Sequence, residues 1–358
     1  MTAGITAGAA AGLWLLGAAA LAQSLDPCRS AAPFTSADEV RKAIERQSES
    51  IRAGKGAPAY VERGVCLGRL GEFEAALADL SEAARLDPAS AAAWEGRAEL
   101  EARLGRHLEA VADFGQVLRL QPKNAVALHG RASSLTLLGE PERAIADLDE
   151  ALRLDPGYTP ALLARGEAHA RAGRHERALQ DYAAYVAATP DDAYAHFRRG
   201  VSLARLGRDE GAVAEFSEAI RLDMRLLSAY IERGRAYGRL GRGERAIEDL
   251  GEAAELAPRY VPARNELAWL LATSPQAGLR DGRKALEHAR AAAELSGWKD
   301  AGVLDTYAAA LAESGDFVEA AKWEARALEL PEFGGRAREE AAARLALYRA
   351  GKPYRAAH

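Results

Sequence analysis

One interval of 34 residues runs through the middle of this chain and leaves little freedom in what it can fold into. Leu70-Gly71, Leu104-Gly105, Leu138-Gly139, Ala172-Gly173, Leu206-Gly207 and Leu240-Gly241 follow one another at that spacing. Prolines keep the same beat at Pro88, Pro122, Pro156, Pro190 and Pro258, with Met224 standing where a proline is due. An alanine row does so too, at Ala76, Ala110, Ala144, Ala178, Ala212 and Ala246. Six repeats therefore occupy residues 57–260 without an insertion. A period of this length marks architectures in which each repeat rests on its neighbours.

Within a repeat the pattern reads as two helices. The first ends at the glycine, which tolerates the left-handed backbone of a helix C-cap. The second ends before the proline, which disfavours helix in the preceding residue and has no amide to donate. Between these stops apolar residues fall at helical spacing, as in Leu77, Leu80, Ala84 and Leu86. Small residues mark where two helices approach closely: Gly64, Ala98, Ala132, Gly166, Gly200 and Gly234 in the first helix, and the alanine row in the second. Alanine, leucine, arginine and glutamate are abundant, and aromatics make up only 6% of the chain, a mix that favours helix.

An early large residue, a small one four later, Leu-Gly, alanine and then proline resemble the tetratricopeptide repeat. The second repeat shows it in Trp94, Ala98, Leu104-Gly105, Ala110, Phe114 and Pro122. The resemblance implies an all-α fold, a right-handed α-solenoid of helix-turn-helix repeats. The ends are degenerate, as caps of such a stack are. Residues 36–56 read as an N-terminal capping helix with Ser36 as N-cap. Residues 261–300 read as a repeat with a loop inserted at Ser274-Pro275-Gln276-Ala277-Gly278, because the alanine due at 280 arrives as Ala285. Asn265 to Trp298 also resembles a terminal module of bacterial members of the family. Residues 301–334 form a repeat-like unit. Residues 335–358 read as a solvating helix and tail, with Ala342, Leu345 and Tyr348 on its apolar side.

In a solenoid a repeat position becomes a row. One row is Arg63, Arg97, Arg131, Arg165, Arg199 and Arg233; another, 16 residues later, is Asp79, Asp113, Asp147, Asp181, Glu215 and Asp249. Six arginines in register could form a phosphate or nucleic-acid track. Antiparallel helices would instead bring each arginine to the carboxylate of its own repeat, a match for bidentate pairing. The expectation is an internal ladder of ion pairs. By the family resemblance the first helices line the concave face. That lining includes Val61, Val65 and Arg69, then Glu95, Glu99 and Arg103, then His129, Ser133 and Leu137. It continues through Leu163, Glu167 and Arg171, then Phe197, Val201 and Arg205, then Ile231, Arg235 and Arg239. One edge is nearly all arginine, and Phe197 and Ile231 are expected to be exposed beside it, a mixture suited to an amphipathic segment with acidic flanks. The partner-binding groove is thus expected at Arg69, Arg103, His129, Leu163, Arg171, Phe197, Val201, Arg205, Ile231, Arg235 and Arg239. Some family members clamp a C-terminal carboxylate with lysine and asparagine on these helices; the matching positions of the first repeat are Val61 and Val65, so that partner is not carried over.

Residues 1–22 carry no charged side chain, and Ala20-Leu21-Ala22 before Gln23 fits a small-residue cleavage site. They read as a secretory signal peptide or as an N-terminal anchor, followed by a tail at 23–35. Export would place the chain in the periplasm or outside the cell; retention would make it an inner-membrane-anchored envelope adaptor. In an oxidising compartment Cys28 and Cys66 could form a disulfide, and separate thiols are the other reading. The net charge of −5 gives no global pull toward nucleic acid or anionic lipid. None of the seven histidines forms an HExxH motif or a zinc-like spacing with cysteine, and no Gly-rich phosphate loop follows a strand. The expectation is therefore no catalytic residues, no metal and no cofactor. A scaffold that holds another protein or peptide segment, without nucleic acid and with a membrane only if residues 1–22 are retained, is the leading reading. A self-assembling solenoid or a membrane-tethered adaptor is the alternative.

Overall fold

The computed structural model describes residues 36–331 and 333–356; residues 1–35, on which the expected signal peptide or anchor and Cys28 fall, and the last two residues lie outside the described residues. The described chain is all-helical, without a strand. It divides into two compact bodies at Ala188 and Thr189. The N-terminal body holds α1 (Ala37–Arg52), α2 (Ala57–Leu70), α3 (Phe73–Leu86), α4 (Ala91–Arg103), α5 (His107–Leu120), α6 (Ala125–Leu137), α7 (Pro141–Leu154), α8 (Thr159–Arg171) and α9 (His175–Ala188). The C-terminal body holds α10 (Ala193–Arg205), α11 (Asp209–Leu222), α12 (Leu227–Arg239), α13 (Gly243–Leu256), α14 (Val261–Thr273), α15 (Gly282–Leu295), α16 (Ala301–Glu313), α17 (Phe317–Glu329) and α18 (Gly335–Arg349).

The helix ends have local causes. Ser36 and Glu39 form a reciprocal capping box on α1. Ser90, Asn124 and Asp192 cap α4, α6 and α10 by accepting from first-turn amides. Between the helices of a pair, Gly71 and Gly105 take φ of +83° and +75°, the left-handed turn the Leu-Gly rhythm anticipated. Where Met224 replaces the proline, α11 still stops at Leu222. Asp223 makes the same turn that Asp155 makes beside Pro156, its amide donating to the Ala219 carbonyl and its carboxylate accepting from the Arg225 amide.

The small-residue rows are packing sites. A Cβ on Gly166 would stand 2.5 Å from the Tyr182 ring, and one on Gly200 would stand 2.6 Å from Phe216. Both rings are fully buried, so the absent side chain is what admits them. In the N-terminal body α2 touches α4, α4 touches α6 and α6 touches α8; in the C-terminal body α10 touches α12 and α14 touches α16. The second helices approach one another less closely. Each body is therefore tighter on the side of its first helices, which form its inner wall.

The inserted loop, Ser274 to Asp281, contains a 3₁₀ turn at Ala277–Leu279. Arg280 pins it, donating to Glu313 at 3.0 Å and to the Ser274 carbonyl at 2.9 Å. α18 is more than a solvating cap. Ala342, expected on its apolar side, is exposed, and Ala341, Arg344, Leu345 and Tyr348 are buried. The helix turns to that face because Arg344 has a buried carboxylate to meet. The tail then folds back: the Ala356 amide donates to the Thr273 carbonyl, and Tyr354 stacks 5.8 Å from Trp269.

Candidate functional site

The arginine row is internal framework. Arg63 holds Asp79 by two bonds of 2.6 and 2.7 Å, Arg97 holds Asp113 at 2.6 and 2.8 Å, and Arg131 holds Asp147 at 2.8 and 2.7 Å. Arg165 reaches Asp181 at 2.6 Å, Arg199 pairs with Glu215, and Arg233 holds Asp249 at 2.8 and 2.7 Å. The aspartates are buried. The free end of the fork is used as well. Arg97 donates to Ser81 and Arg233 to Ser217, each on the preceding second helix, and Arg165 donates to Asp149 there. One guanidinium thus ties three helices, and these hydrogen bonds hold its pKa above the ordinary arginine value. Glu215, one methylene longer than aspartate, also meets His196 Nδ1 at 2.9 Å.

With the ladder assigned, the first helices of each body present three rows of repeat positions at graded depth. The first row is Val61, Glu95, His129, Leu163, Phe197 and Ile231. It is the deepest, and three of its members are buried, at 3% exposure for Val61 and 5% for Leu163 and Ile231. The expectation of an exposed Ile231, and of Leu163 as groove surface, is corrected: neighbouring helices cover both. Phe197 is half-buried, its ring 5.9 Å from Phe216 and 6.5 Å from Tyr194. The second row is Val65, Glu99, Ser133, Glu167, Val201 and Arg235; all but the exposed Arg235 are half-buried. The third row, Arg69, Arg103, Leu137, Arg171, Arg205 and Arg239, is exposed throughout. Arg103 lies over the Phe73 ring at 5.4 Å. In the sixth repeat Arg235 of the second row binds Glu266 at 2.8 Å, and Arg239 of the third row binds Asp209 at 2.8 Å.

The wall of the N-terminal body concentrates hydrogen-bonding groups. His129 Nδ1 lies 3.3 Å from the Tyr158 hydroxyl, and burial pushes its imidazole down to about 4, so it is neutral at physiological pH. Burial, with Glu95 beside it, pushes the Glu99 carboxyl up to about 7. The same carboxylates and burial push Tyr158 up to about 12.

The C-terminal body carries a further site, reaching beyond the six regular repeats. A pocket of about 490 Å³ opens on its inner wall, bounded by α12, α13, α14, α16 and α18. Asn265 and Trp269 line it, 34 residues beyond Ile231 and Arg235, so carrying the rows past residue 260 would have found them. Arg344 closes it, holding Asp305 at 2.7 and 2.8 Å and lying over the rings of Trp269 and Tyr354. Glu324, wholly buried, stands 3.5 Å from Arg344. Burial and the neighbouring Asp305 push its carboxyl up to about 10, so it is neutral. In the N-terminal body Cys66 is fully buried against Val40 and Ala43 and is not a free thiol. Among the described residues, no group of three or more His, Cys, Asp or Glu is placed to hold a metal, and no helix is long and apolar enough to cross a membrane.

Family models for the tetratricopeptide repeat match residues 62–125, 103–159, 129–193 and 163–225, and a further one matches 227–260. No curated protein sequence matches the chain. Among solved structures, it is similar to a tetratricopeptide repeat protein from Parabacteroides merdae, with 19% identity, a TM-score of 0.53, and 64% of this chain and 91% of that one covered. It is similar to PilW, a type IV pilus biogenesis factor, with 22% identity, a TM-score of 0.55, and 59% and 98% covered. It is also similar to the Cut9–Hcn1 hetero-tetramer of the APC/C, with 18% identity, a TM-score of 0.55, and 77% and 55% covered. At these identities the likeness is one of fold. The repeat models span more than half of the chain, and the chain belongs to the tetratricopeptide repeat family.

Proposed function

We propose that this chain is a non-catalytic scaffold that holds a segment of a partner protein along the inner walls of its repeats. The observation that carries this reading is the graded depth of the three first-helix rows: a first row with three buried members, a half-buried second row and an exposed edge rich in arginine. The second row changes chemistry from repeat to repeat, from Glu99 through Ser133 to Val201. A preformed wall of this kind binds by many modest contacts with little ordering cost on the scaffold side. The ladder supports a protein partner over nucleic acid, because six guanidinium groups that could have tracked phosphates face carboxylates instead.

The test is a double substitution on the wall. Val201→Glu with Arg205→Glu reverses the apolar and basic mixture of the fifth repeat without touching the ladder. Partner capture from the native cell envelope should fall at least tenfold while circular dichroism and melting temperature hold. Undiminished capture counts against the wall. We further propose export to the periplasm or beyond, supported by the uncharged run 1–22 and by a Cys66 that is not a free thiol. N-terminal sequencing of the mature protein should begin at Gln23; a start at the initiator region favours an anchored form.

A further inference from the structure

Charge balance gives the C-terminal pocket its character. Its two cations are neutralised within the wall: Arg235 by Glu232 and Glu266, and Arg344 by Asp305. Glu340 is matched in turn by Arg336 at 2.8 Å. What remains is apolar surface from Trp269, Leu270 and Phe333, and one neutral polar group without a partner. That group is the Asn265 amide, whose Oδ1 is buried and accepts no hydrogen bond. An unmade bond at a buried polar atom is unfavourable, and a half-turn about χ2 lets the amide offer an acceptor or a donor. The space exists because glycines line it. A Cβ at Gly238 would meet nothing within 4 Å, and one at Gly302 would meet only Asp300 Oδ1 at 3.4 Å. Neither glycine has positive φ, so the backbone does not require glycine at either place.

We propose that this pocket anchors an uncharged, bulky apolar side chain of an extended partner segment, with a main-chain amide of that segment pairing with Asn265. The volume lies in the range in which proteins hold ligands. An anionic anchor finds no unpaired cation there, and any charged anchor would lose its hydration. A peptide amide supplies both the donor and the acceptor that the asparagine can match. Within the C-terminal body the pocket continues the positions of Phe197 and Ile231 and of Val201 and Arg235 at the same 34-residue step, so an extended chain lying along that body's wall reaches it. This inference rests on the wall-binding reading and adds the chemistry of its anchor.

The test uses the full chain and a phage-displayed library of random dodecamer peptides. Recovered peptides should share a Leu, Ile, Phe or Trp whose replacement by Glu abolishes binding. Gly238→Leu and Gly302→Leu fill the pocket from open positions, and each should weaken a recovered peptide at least tenfold without lowering the melting temperature. If either leucine destabilises the fold, Asn265→Ala, which adds no volume, takes its place and should weaken binding several-fold. Unchanged affinity in the filled variants, with binding still lost in the Val201→Glu, Arg205→Glu protein, overturns the pocket and leaves the wall standing. Peptides anchored by a charged residue overturn the pocket as well. Recovery of no peptide overturns both.

Discussion

The two bodies build their inner walls from the same repeat frame and reach opposite chemistries. In the N-terminal body the wall presents Glu95, Glu99, a neutral His129 and Tyr158, with a carboxyl held near 7 by burial and a like-charged neighbour. In the C-terminal body it presents Phe197, Val201 and then a pocket floored by Trp269 whose arginines are each paired with a carboxylate. The Arg–carboxylate ladder is shared by both. The contrast separates two jobs. Positions facing the second helix of the same repeat are constrained by framework, and the second row of the wall is left to vary. Function in such a chain is therefore read from the row that breaks the pattern.

The largest expected effect lies where the C-terminal body is closed. Arg344→Ala strands Asp305 in a buried site and should cost about 3–5 kcal/mol in denaturant unfolding, losing the pocket with it. Glu324→Gln, which keeps a neutral side chain of the same shape, should cost far less at neutral pH. Equal losses in the two variants would show that Glu324 is ionised and part of a charged triad. Next in size is a contrast between glycines. Gly200→Val drives a side chain into Phe216 and should cost about 1–3 kcal/mol through overpacking. Gly238→Ala enters open space in a helix and should be neutral or stabilising by up to about 1 kcal/mol. A destabilising Gly238→Ala would mean that the pocket is narrower than described.

The smallest effect distinguishes the walls by pH. Glu99 is raised in the folded state above the ordinary glutamate value of about 4.3, so the fold favours its neutral form. The stability it contributes is complete below that value and is lost as pH rises through about 7. Glu99→Gln should therefore raise the melting temperature above neutral pH and have little effect in acid. Replacing Val201 by Ala should show no such pH dependence. A Glu99→Gln effect that is flat with pH would remove the near-neutral carboxyl from the account.

Much of this was legible in the sequence. The helix boundaries followed from glycine and proline at fixed spacing, and the ladder followed from a 16-residue offset joining two helices of one repeat. The Met224 irregularity cost nothing because Asp223 makes the turn. What was not legible depends on how far neighbouring helices cover a position. Val61, Leu163 and Ile231 share a row with Glu95, His129 and Phe197, yet they are buried and those three are only partly so, a difference the repeat position alone does not carry. Arg344 and Asp305 are 39 residues apart, outside the 34-residue rhythm, so periodicity had no means of pairing them. The pairing of Arg235 with Glu266 and of Arg239 with Asp209 joins different repeats, so the 16-residue offset within one repeat does not foretell it.

Site-specific photo-crosslinking in living cells reads the working surface directly. A photoreactive residue at Ser133 or Val201 on the second row should form adducts with a discrete partner, and the same residue at Leu108 or Val318, exposed second-helix positions, should form none. Adducts from Leu108 and Val318 with none from Ser133 and Val201 would contradict the inner wall as the surface that holds a partner.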